Sequence, residues 1–174
     1  MAEKIRFGIV GTGNIAPRFA QAIANVKCAE LVAVASRTAQ GAKKFGDEFG
    51  IKYRFDSYEK MAESDVIDAA YIAVPHSGHI GCSCLMMNGG KHVICEKPCT
   101  TAAAHTRELF ALAKEKDLYL IEMITTLYHP HFAWVKEHMA DVGKLRCQGD
   151  YGQIVTNPPY GERLLELEEA RGLY

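Results

Sequence analysis

Short, continuously apolar runs alternate with longer amphipathic segments over the first two thirds of the chain. The runs that predict strands cover residues 5–10, 31–35, 69–74, 92–95 and 118–123. Helical spacing between them predicts helices over 14–26, 38–49, 57–61 and 77–88, and from Thr100 or Thr101 to about residue 116. Continuous apolar strands are typical of a sheet covered on both faces, and strand–helix alternation indicates parallel pairing. We therefore predict an α/β fold with a doubly wound parallel sheet.

The pattern changes after residue 123. It predicts a helix over 130–139, a half-exposed strand over 144–153, a breaker at Asn157-Pro158-Pro159 and a charged helix over 162–170. A segment of about 50 residues is short for an independent domain, because it can bury little apolar surface. We therefore predict one α/β domain over residues 1–123 and the beginning of a second, incomplete α/β domain over residues 124–174.

Charge and hydropathy argue against two classes of partner. The chain has 20 Lys and Arg against 21 Asp and Glu, whereas proteins that bind nucleic acid usually carry a basic excess. No window of about 18 apolar residues predicts a membrane span. The first residues lead directly into a predicted strand, without the apolar core of a signal peptide. We therefore expect a cytoplasmic protein that binds neither nucleic acid nor membranes.

The cysteines form no recognisable metal or redox motif. The six are Cys28, Cys82, Cys84, Cys95, Cys99 and Cys147. In a cytoplasmic chain they are expected to be free thiols, and Cys82-Ser83-Cys84 lacks the CxxC spacing of zinc and redox sites. His76 and His79 have a spacing compatible with metal ligation, but no acidic or cysteine cluster accompanies them, so no metal site is expected. Three further histidines are interpreted as surface or interface residues: His129, His131 and His138.

A glycine-rich turn follows the first predicted strand. Gly11-Thr12-Gly13-Asn14-Ile15-Ala16 fits the pattern G-x-G-x-x-[GA] and opens a predicted helix, which is the context that gives this pattern meaning. The first glycine permits the tight turn, the second lets the backbone approach a pyrophosphate, and the helix N-terminus attracts the anion. The alternative is a glycine turn without a ligand. We predict dinucleotide binding.

The end of the second predicted strand distinguishes two dinucleotides. An acidic residue there would accept a hydrogen bond from the ribose 2′-hydroxyl of NAD. The chain has Ser36-Arg37-Thr38 instead, and no carboxylate before Asp47. A hydroxyl and a guanidinium suit a 2′-phosphate. We therefore favour NADP over NAD, the alternative being that Arg37 is an exposed loop charge.

Two later strand ends carry reactive side chains, one at residues 74–79 and the other at Glu96-Lys97-Pro98. Ligands of open α/β sheets lie beyond the carboxyl ends of the strands, so both would face the crevice at the glycine loop. Lys97 can bond a substrate hydroxyl or carry its proton, His79 can assist, and Glu96 can orient or tune the lysine. The alternatives are a solvated lysine and a surface histidine.

The segments GTGNIA, AVASR, AVPHSGH, GGKHVICEKP and LYLIEM, in this order, resemble the Gfo/Idh/MocA family over about residues 3–153. The resemblance implies a Rossmann domain and a second α/β domain whose open sheet often mediates oligomerisation. It also implies oxidation or reduction of sugars, polyols or diols with NAD(P). A small-molecule substrate and a homo-oligomer are therefore expected, and the predicted strand over 144–153 would offer an edge for association.

The resemblance assigns roles to matching positions. The residues that it and the loop chemistry place at the cofactor are Gly11, Thr12, Gly13, Asn14, Ile15, Ser36, Arg37, Ala73, Val74, Pro75, His76, His79, Glu96 and Lys97. The catalytic candidates are Lys97, His79 and Glu96. The chain departs from the family at His76, where members often have Asn, and at Leu127, where they often have Arg.

The function expected from these residues is hydride transfer between C4 of nicotinamide and a carbinol carbon, with Lys97 handling the proton. Two alternatives stay open at this point. The chain could be an NAD(P)-binding module without catalysis, or a glycosidase that uses a tightly held NAD.

Overall fold

The computed structural model describes residues 4–138, and its contacts divide the chain between Met123 and Ile124. The first unit contains six strands: β1 (Ile5–Val10), β2 (Ala29–Ala35), β3 (Tyr53–Phe55), β4 (Ala69–Ile72), β5 (His92–Glu96) and β6 (Leu120–Met123). Its α-helices are α1 (Ala16–Ile23), α2 (Ala39–Phe49), α3 (Tyr58–Ala62), α4 (His79–Asn88) and α5 (Ala103–Glu115). A 3-10 helix over His76–Gly78 precedes α4.

The strands form one parallel sheet in the order β3-β2-β1-β4-β5-β6. The chain therefore runs from the centre to one edge and then, through β4, from the centre to the other. The prediction of a doubly wound parallel sheet is confirmed. Because the direction of winding changes between β1 and β4, the helices that follow these two strands lie on opposite faces of the sheet, which leaves a crevice at the carboxyl ends of the strands.

Helices cover both faces of the sheet. Alternate strand residues belong to two separate cores, as the period of two along a strand requires. Helices α3, α4 and α5 contribute Met61, Met86 and Leu109 to one core. Helices α1 and α2 contribute Ala20 and Phe45 to the other. This two-sided burial explains why the strands are continuously apolar in the sequence.

The predicted helix starts are partly correct. Thr38 caps α2, because its side chain accepts a hydrogen bond from the Gly41 N–H. Ser57 caps α3, because its side chain accepts a hydrogen bond from the Lys60 N–H. The predicted start of α5 at Thr100 or Thr101, with a threonine as its N-cap, is wrong, since the helix begins after Ala102 without a side-chain cap. The Thr100 hydroxyl instead donates to the Ala102 carbonyl at 2.9 Å.

One strand and the end of one helix show where the pattern fell short. Strand β3 was not predicted, because its three residues are too few to show a period. Helix α1 ends at Ile23, three residues earlier than expected. The following residues form turns instead, with the Asn25 and Val26 N–H groups donating to carbonyls three residues back.

The described part of the second unit contains a 3-10 helix over Thr125–Tyr128 and helix α6 over Pro130–His138. The strand predicted over 144–153, the breaker after it, the helix over 162–170 and Cys147 lie outside the described residues. Within residues 4–138, no helix is long and apolar enough to cross a membrane. In the same range, no group of three His, Cys, Asp or Glu residues is placed to hold a metal ion, and five cysteines are free.

Candidate active site

The glycine turn after β1 is held by backbone bonds. The Gly11 N–H donates to the Ala35 carbonyl at 2.9 Å, and Gly11 has a φ of 95°, which side chains other than hydrogen disfavour. A Cβ added at Gly11 would lie 2.8 Å from the Ala73 oxygen. The chain can therefore make this close approach between the β1 and β4 loops only with glycine at this position.

Helix α1 starts immediately after the turn, where the Ala16 and Arg18 N–H groups donate to the Gly13 and Ile15 carbonyls, each at 3.1 Å. Ala16 is its first residue, Pro17 lies in its first turn, and no side chain caps its N–H groups. Its first turn contains no acidic residue. The positive dipole end of such a helix attracts an anion, so the turn and helix together suit a phosphate group.

A cleft of about 260 Å³ lies at the carboxyl ends of β1, β2 and β4. Its lining residues are Gly11, Thr12, Gly13, Ser36, Arg37, Tyr58, Ala73, Val74 and Pro75. Eight of these nine were sequence candidates. Tyr58 was missed, because it comes from α3 and only the folded chain brings that helix to the cleft. Burial of Tyr58 raises the pKa of its hydroxyl, and the nearby Arg37 opposes the rise.

The polar part of the cleft is centred on Ser36. This residue is 8% exposed, and its Oγ lies 3.5 Å from Thr12 Oγ1. A Cβ added at Gly41 would lie 2.6 Å from Ser36 Oγ, so the glycine at the start of α2 leaves room for the hydroxyl. Arg37 is exposed beside it. These groups offer hydrogen-bond donors and a positive charge but no carboxylate.

Lys97 lies on the turn that follows β5. Its side chain is exposed, while other side chains bond the backbone around it. The Lys97 N–H donates to Glu96 Oε2 at 3.2 Å, and the Pro98 carbonyl accepts from His79 Nδ1 at 2.7 Å. The Cys99 N–H donates to Glu122 Oε1 at 2.7 Å. The peptide bond between Lys97 and Pro98 is cis.

His79 joins this turn to the β4 loop. It is 1% exposed, and its Nε2 lies 3.0 Å from the Val74 carbonyl oxygen, while Nδ1 contacts Pro98. Carbonyl oxygens only accept, so a ring nitrogen that carries a proton donates to the carbonyl that it faces. His76, at the start of the loop, is exposed, and its ring lies 5.3 Å from that of His79.

Glu96 is bound on its other side by Tyr71. The Tyr71 hydroxyl donates to Glu96 Oε1, and the ring stacks on Phe19 of α1 with centroids 3.9 Å apart. Burial, together with the Glu96 carboxylate, raises the pKa of the Tyr71 hydroxyl, so it remains a donor. Both oxygens of Glu96 are thus occupied by groups other than the Lys97 amine. Tyr71 was missed because it looks like an ordinary apolar position of a buried strand.

The sequence candidates therefore form two neighbouring groups. The first lines the cleft, and the second surrounds Lys97. Val74 connects them, since it lines the cleft and its carbonyl contacts His79. Asn14, Ile15 and His76 do not line the cleft.

Comparison with known proteins agrees with this arrangement. The model of the Gfo/Idh/MocA proteins, an oxidoreductase family with an NAD-binding Rossmann fold, matches residues 5–123. The chain belongs to the Gfo/Idh/MocA oxidoreductase family. The resemblance seen in the sequence motifs is thereby confirmed, and so is the expectation of an NAD(P)-binding Rossmann fold.

Several Gfo/Idh/MocA relatives have known activities. The chain is 38% identical over 142 residues to scyllo-inositol 2-dehydrogenase (NADP(+)) of Bacillus subtilis, covering 82% of the chain and 43% of that enzyme. It is 32% identical over 169 residues to trans-1,2-dihydrobenzene-1,2-diol dehydrogenase of Homo sapiens, covering 95% and 48%. The chain thus spans about half the length of the curated relatives it matches.

A solved structure supports the same assignment. The crystal structure of a 3-ketoreductase from Actinomadura kijaniata with NADP has a TM-score of 0.76 to the chain at 34% identity, covering 80% of the chain and 44% of the reductase. Named homologues therefore include dehydrogenases of inositol and of dihydrodiols and a ketoreductase crystallised with NADP.

Proposed function

We propose that the chain is the cofactor-binding part of an NADP-dependent oxidoreductase. The reaction is hydride transfer between nicotinamide and a carbinol carbon of a sugar, polyol or diol. The observation that carries the proposal is the meeting of three strand-end loops at one cleft, with Lys97 on the adjacent strand end. Enzymes of this fold class bind their ligands at that position.

The residues of the cleft suit a dinucleotide. Gly11 and Gly13 leave the backbone open for the pyrophosphate, and a Cβ at Gly11 would close the gap to the Ala73 oxygen. The N-terminus of α1 adds a positive dipole end. Asn14 and Ile15, at the start of that helix, are proposed to contribute through their backbone N–H groups. Val74 to His76 would lie along the nicotinamide half.

The choice of NADP rests on the end of β2. Ser36 offers a nearly buried hydroxyl and Arg37 an exposed guanidinium, a pair that suits a 2′-phosphate. The cleft lining contains no carboxylate to accept a bond from the ribose 2′-hydroxyl of NAD. The Bacillus relative is named as NADP(+)-dependent, and the Actinomadura structure contains NADP, which supports the same choice.

Lys97 is proposed to hold the proton of the substrate hydroxyl. The bound nicotinamide supplies the hydride acceptor or donor, and the lysine amine bonds the substrate oxygen and passes its proton. Glu96 and His79, the other catalytic candidates, then act as positioning residues. Their polar atoms are occupied by Tyr71, by the Lys97 backbone and by two carbonyl groups.

The first experiment is a paired titration of the purified chain with NADPH and NADH, followed by nicotinamide fluorescence. Tighter binding of NADPH is expected. Arg37→Met should weaken NADPH binding about tenfold to a hundredfold, because one charge-assisted contact is lost, and should leave NADH binding unchanged. Arg107→Met, on the exposed side of α5, is the matched control and should change neither affinity.

The outcomes separate the proposals. Tighter NADH binding would overturn the choice of NADP and keep the oxidoreductase family. Binding of neither cofactor would overturn the proposal that this chain is a competent cofactor domain. In a protein that contains the substrate domain, Lys97→Ala should keep NADPH affinity and abolish turnover, and unchanged turnover would remove Lys97 from the mechanism.

The remaining organisation is also proposed. Residues 1–123 would form the cofactor domain, and residues 124–174 would begin the substrate domain, which is the part that mediates association into a homo-oligomer. A monodisperse monomer in sedimentation would contradict that association. Free cysteines at all five described positions favour a cytoplasmic location, which cell fractionation would test.

A further inference from the structure

The position of Lys97 is determined by its backbone. Its side chain is exposed and therefore gains little orientation from packing. The turn that carries it lies between β5, which ends at Glu96, and α5, which begins at Ala103. Its peptide groups have left the sheet ladder and have not entered the helix. Other groups must satisfy their hydrogen bonds if the turn is to keep one conformation.

Cys99 needs such a partner most. It is 3% exposed, so an unpaired N–H at this position would be buried away from water. Glu122 Oε1 accepts that N–H at 2.7 Å, a short bond to an acceptor that carries charge when ionised. Glu122 lies on β6, where it pairs with Cys95, four residues before Cys99. The carboxylate therefore reaches from the edge strand to the far side of the turn.

The other contacts hold the turn from different directions. His79 of α4 binds the Pro98 carbonyl, and Glu96 binds the Lys97 N–H. On the side where the chain continues towards α5, Glu122 accepts the Cys99 N–H at 2.7 Å, and the Cys95 thiol donates to the Cys99 carbonyl at 3.8 Å. Glu122 is the acidic residue of an otherwise apolar predicted strand, and its sequence pattern predicts no role for it.

We propose that Glu122 is a positioning residue that fixes the Lys97 turn through the Cys99 N–H and so sets where the lysine amine lies beside the cofactor. The inference rests on the proposed function, since it assigns Lys97 to the nicotinamide side of the cleft. Glu122 itself touches neither substrate nor cofactor in this role. Its effect on the cofactor passes through Lys97.

The test compares Glu122→Leu, which removes the acceptor at similar size, with Glu122→Gln, which keeps an oxygen for the Cys99 N–H. Amide hydrogen exchange measures the turn directly. In Glu122→Leu the Cys99 amide should exchange about tenfold faster than in the original chain, as expected for the loss of one hydrogen bond. In Glu122→Gln its exchange rate should stay close to that of the original chain. Unchanged exchange at Cys99 would overturn the proposal.

A second measurement separates positioning from general support of the fold. Glu122→Leu should change the emission of bound NADPH, while the affinity for adenosine 2′,5′-bisphosphate, which lacks nicotinamide, stays within about twofold. The same substitution made together with Lys97→Ala should add no further change in emission to that of Lys97→Ala alone. A further change in that background, or equal loss of both ligands, would show a merely structural role.

Failure of the proposed cofactor binding would give a different experimental result from failure of the proposed role of Glu122. If the unsubstituted chain binds neither NADPH nor adenosine 2′,5′-bisphosphate, the cofactor assignment fails and this inference fails with it. If the unsubstituted chain binds both ligands and Glu122→Leu leaves the emission of bound NADPH unchanged, only the role of Glu122 is overturned.

Discussion

The two halves of the candidate site are built in different ways. At the cleft, the key shape comes from the main chain: the Gly11 N–H bonds the Ala35 carbonyl, and the Ala73 N–H bonds the Val10 carbonyl, each at 2.9 Å. At the Lys97 turn, side chains bond the backbone instead, with His79, Glu96 and Glu122 taking part. A backbone site depends on the absence of side chains, whereas a turn held by side chains depends on their identity.

The largest expected effect is at Gly11. Gly11→Ala places a Cβ 2.8 Å from the Ala73 oxygen at a φ of 95°, and we expect it to lower the free energy of unfolding by about 1–3 kcal/mol and to remove cofactor binding. Urea denaturation and NADPH titration measure the two effects. Gly13→Ala is the control, because its Cβ would lie 3.5 Å from the same oxygen, an ordinary contact. It should keep stability, and equal destabilisation of both variants would refute the backbone explanation.

Tyr71→Phe tests the half that is held by side chains. The substitution keeps the ring that stacks on Phe19 and removes the hydroxyl that donates to Glu96. We expect a loss of about 1–2 kcal/mol in the free energy of unfolding, because the carboxylate loses a donor in a largely buried place. Tyr119→Phe is the control, since Tyr119 is 73% exposed. Urea denaturation that gives the same result for both variants would show that the Glu96 bond contributes nothing.

The smallest expected effect is at the amino ends of the central strands β1 and β4, where Arg6 donates to Asp68 at 3.0 Å through Nε. This bond lowers the pKa of Asp68 below its ordinary value of 3.8, so the pair stabilises the fold above that pH and loses its contribution as the pH falls through the lower folded-state value. Because the side chains are 41% and 38% exposed, we expect about 0.5–1 kcal/mol at neutral pH.

Urea unfolding of the original chain and of Asp68→Asn measures this contribution. The difference between them should be present at neutral pH and shrink in strongly acidic buffer, and NADPH affinity should be the same for both. A difference that does not change with pH would contradict the ionic explanation. An altered NADPH affinity would show that the amino and carboxyl ends of the sheet are not independent.

The contrast also explains what could be predicted from the sequence. Gly11, Gly13, Ser36 and Arg37 were found because each follows a recognisable strand, and a strand end is a local feature. Lys97 was found for the same reason.

The side chains that hold the turn around Lys97 were predicted less completely. The contacts of Tyr71 and Glu122 depend on which strands become neighbours and in what register, and a periodic pattern contains no such information. His79 was recognised as a candidate, but its pairing with two carbonyl groups appears only when the β4 and β5 loops are brought together.

Tyr71 has one further consequence. Its ring lies against Phe19 on the helix that begins at the glycine turn, and its hydroxyl holds Glu96 next to Lys97. Tyr71 therefore contacts both halves of the site, the cleft half through Phe19 and the Lys97 half through Glu96. A double variant with one substitution in each half should then change the free energy of unfolding by an amount that differs from the sum of the two single variants. The size of that difference would measure how strongly the halves are coupled.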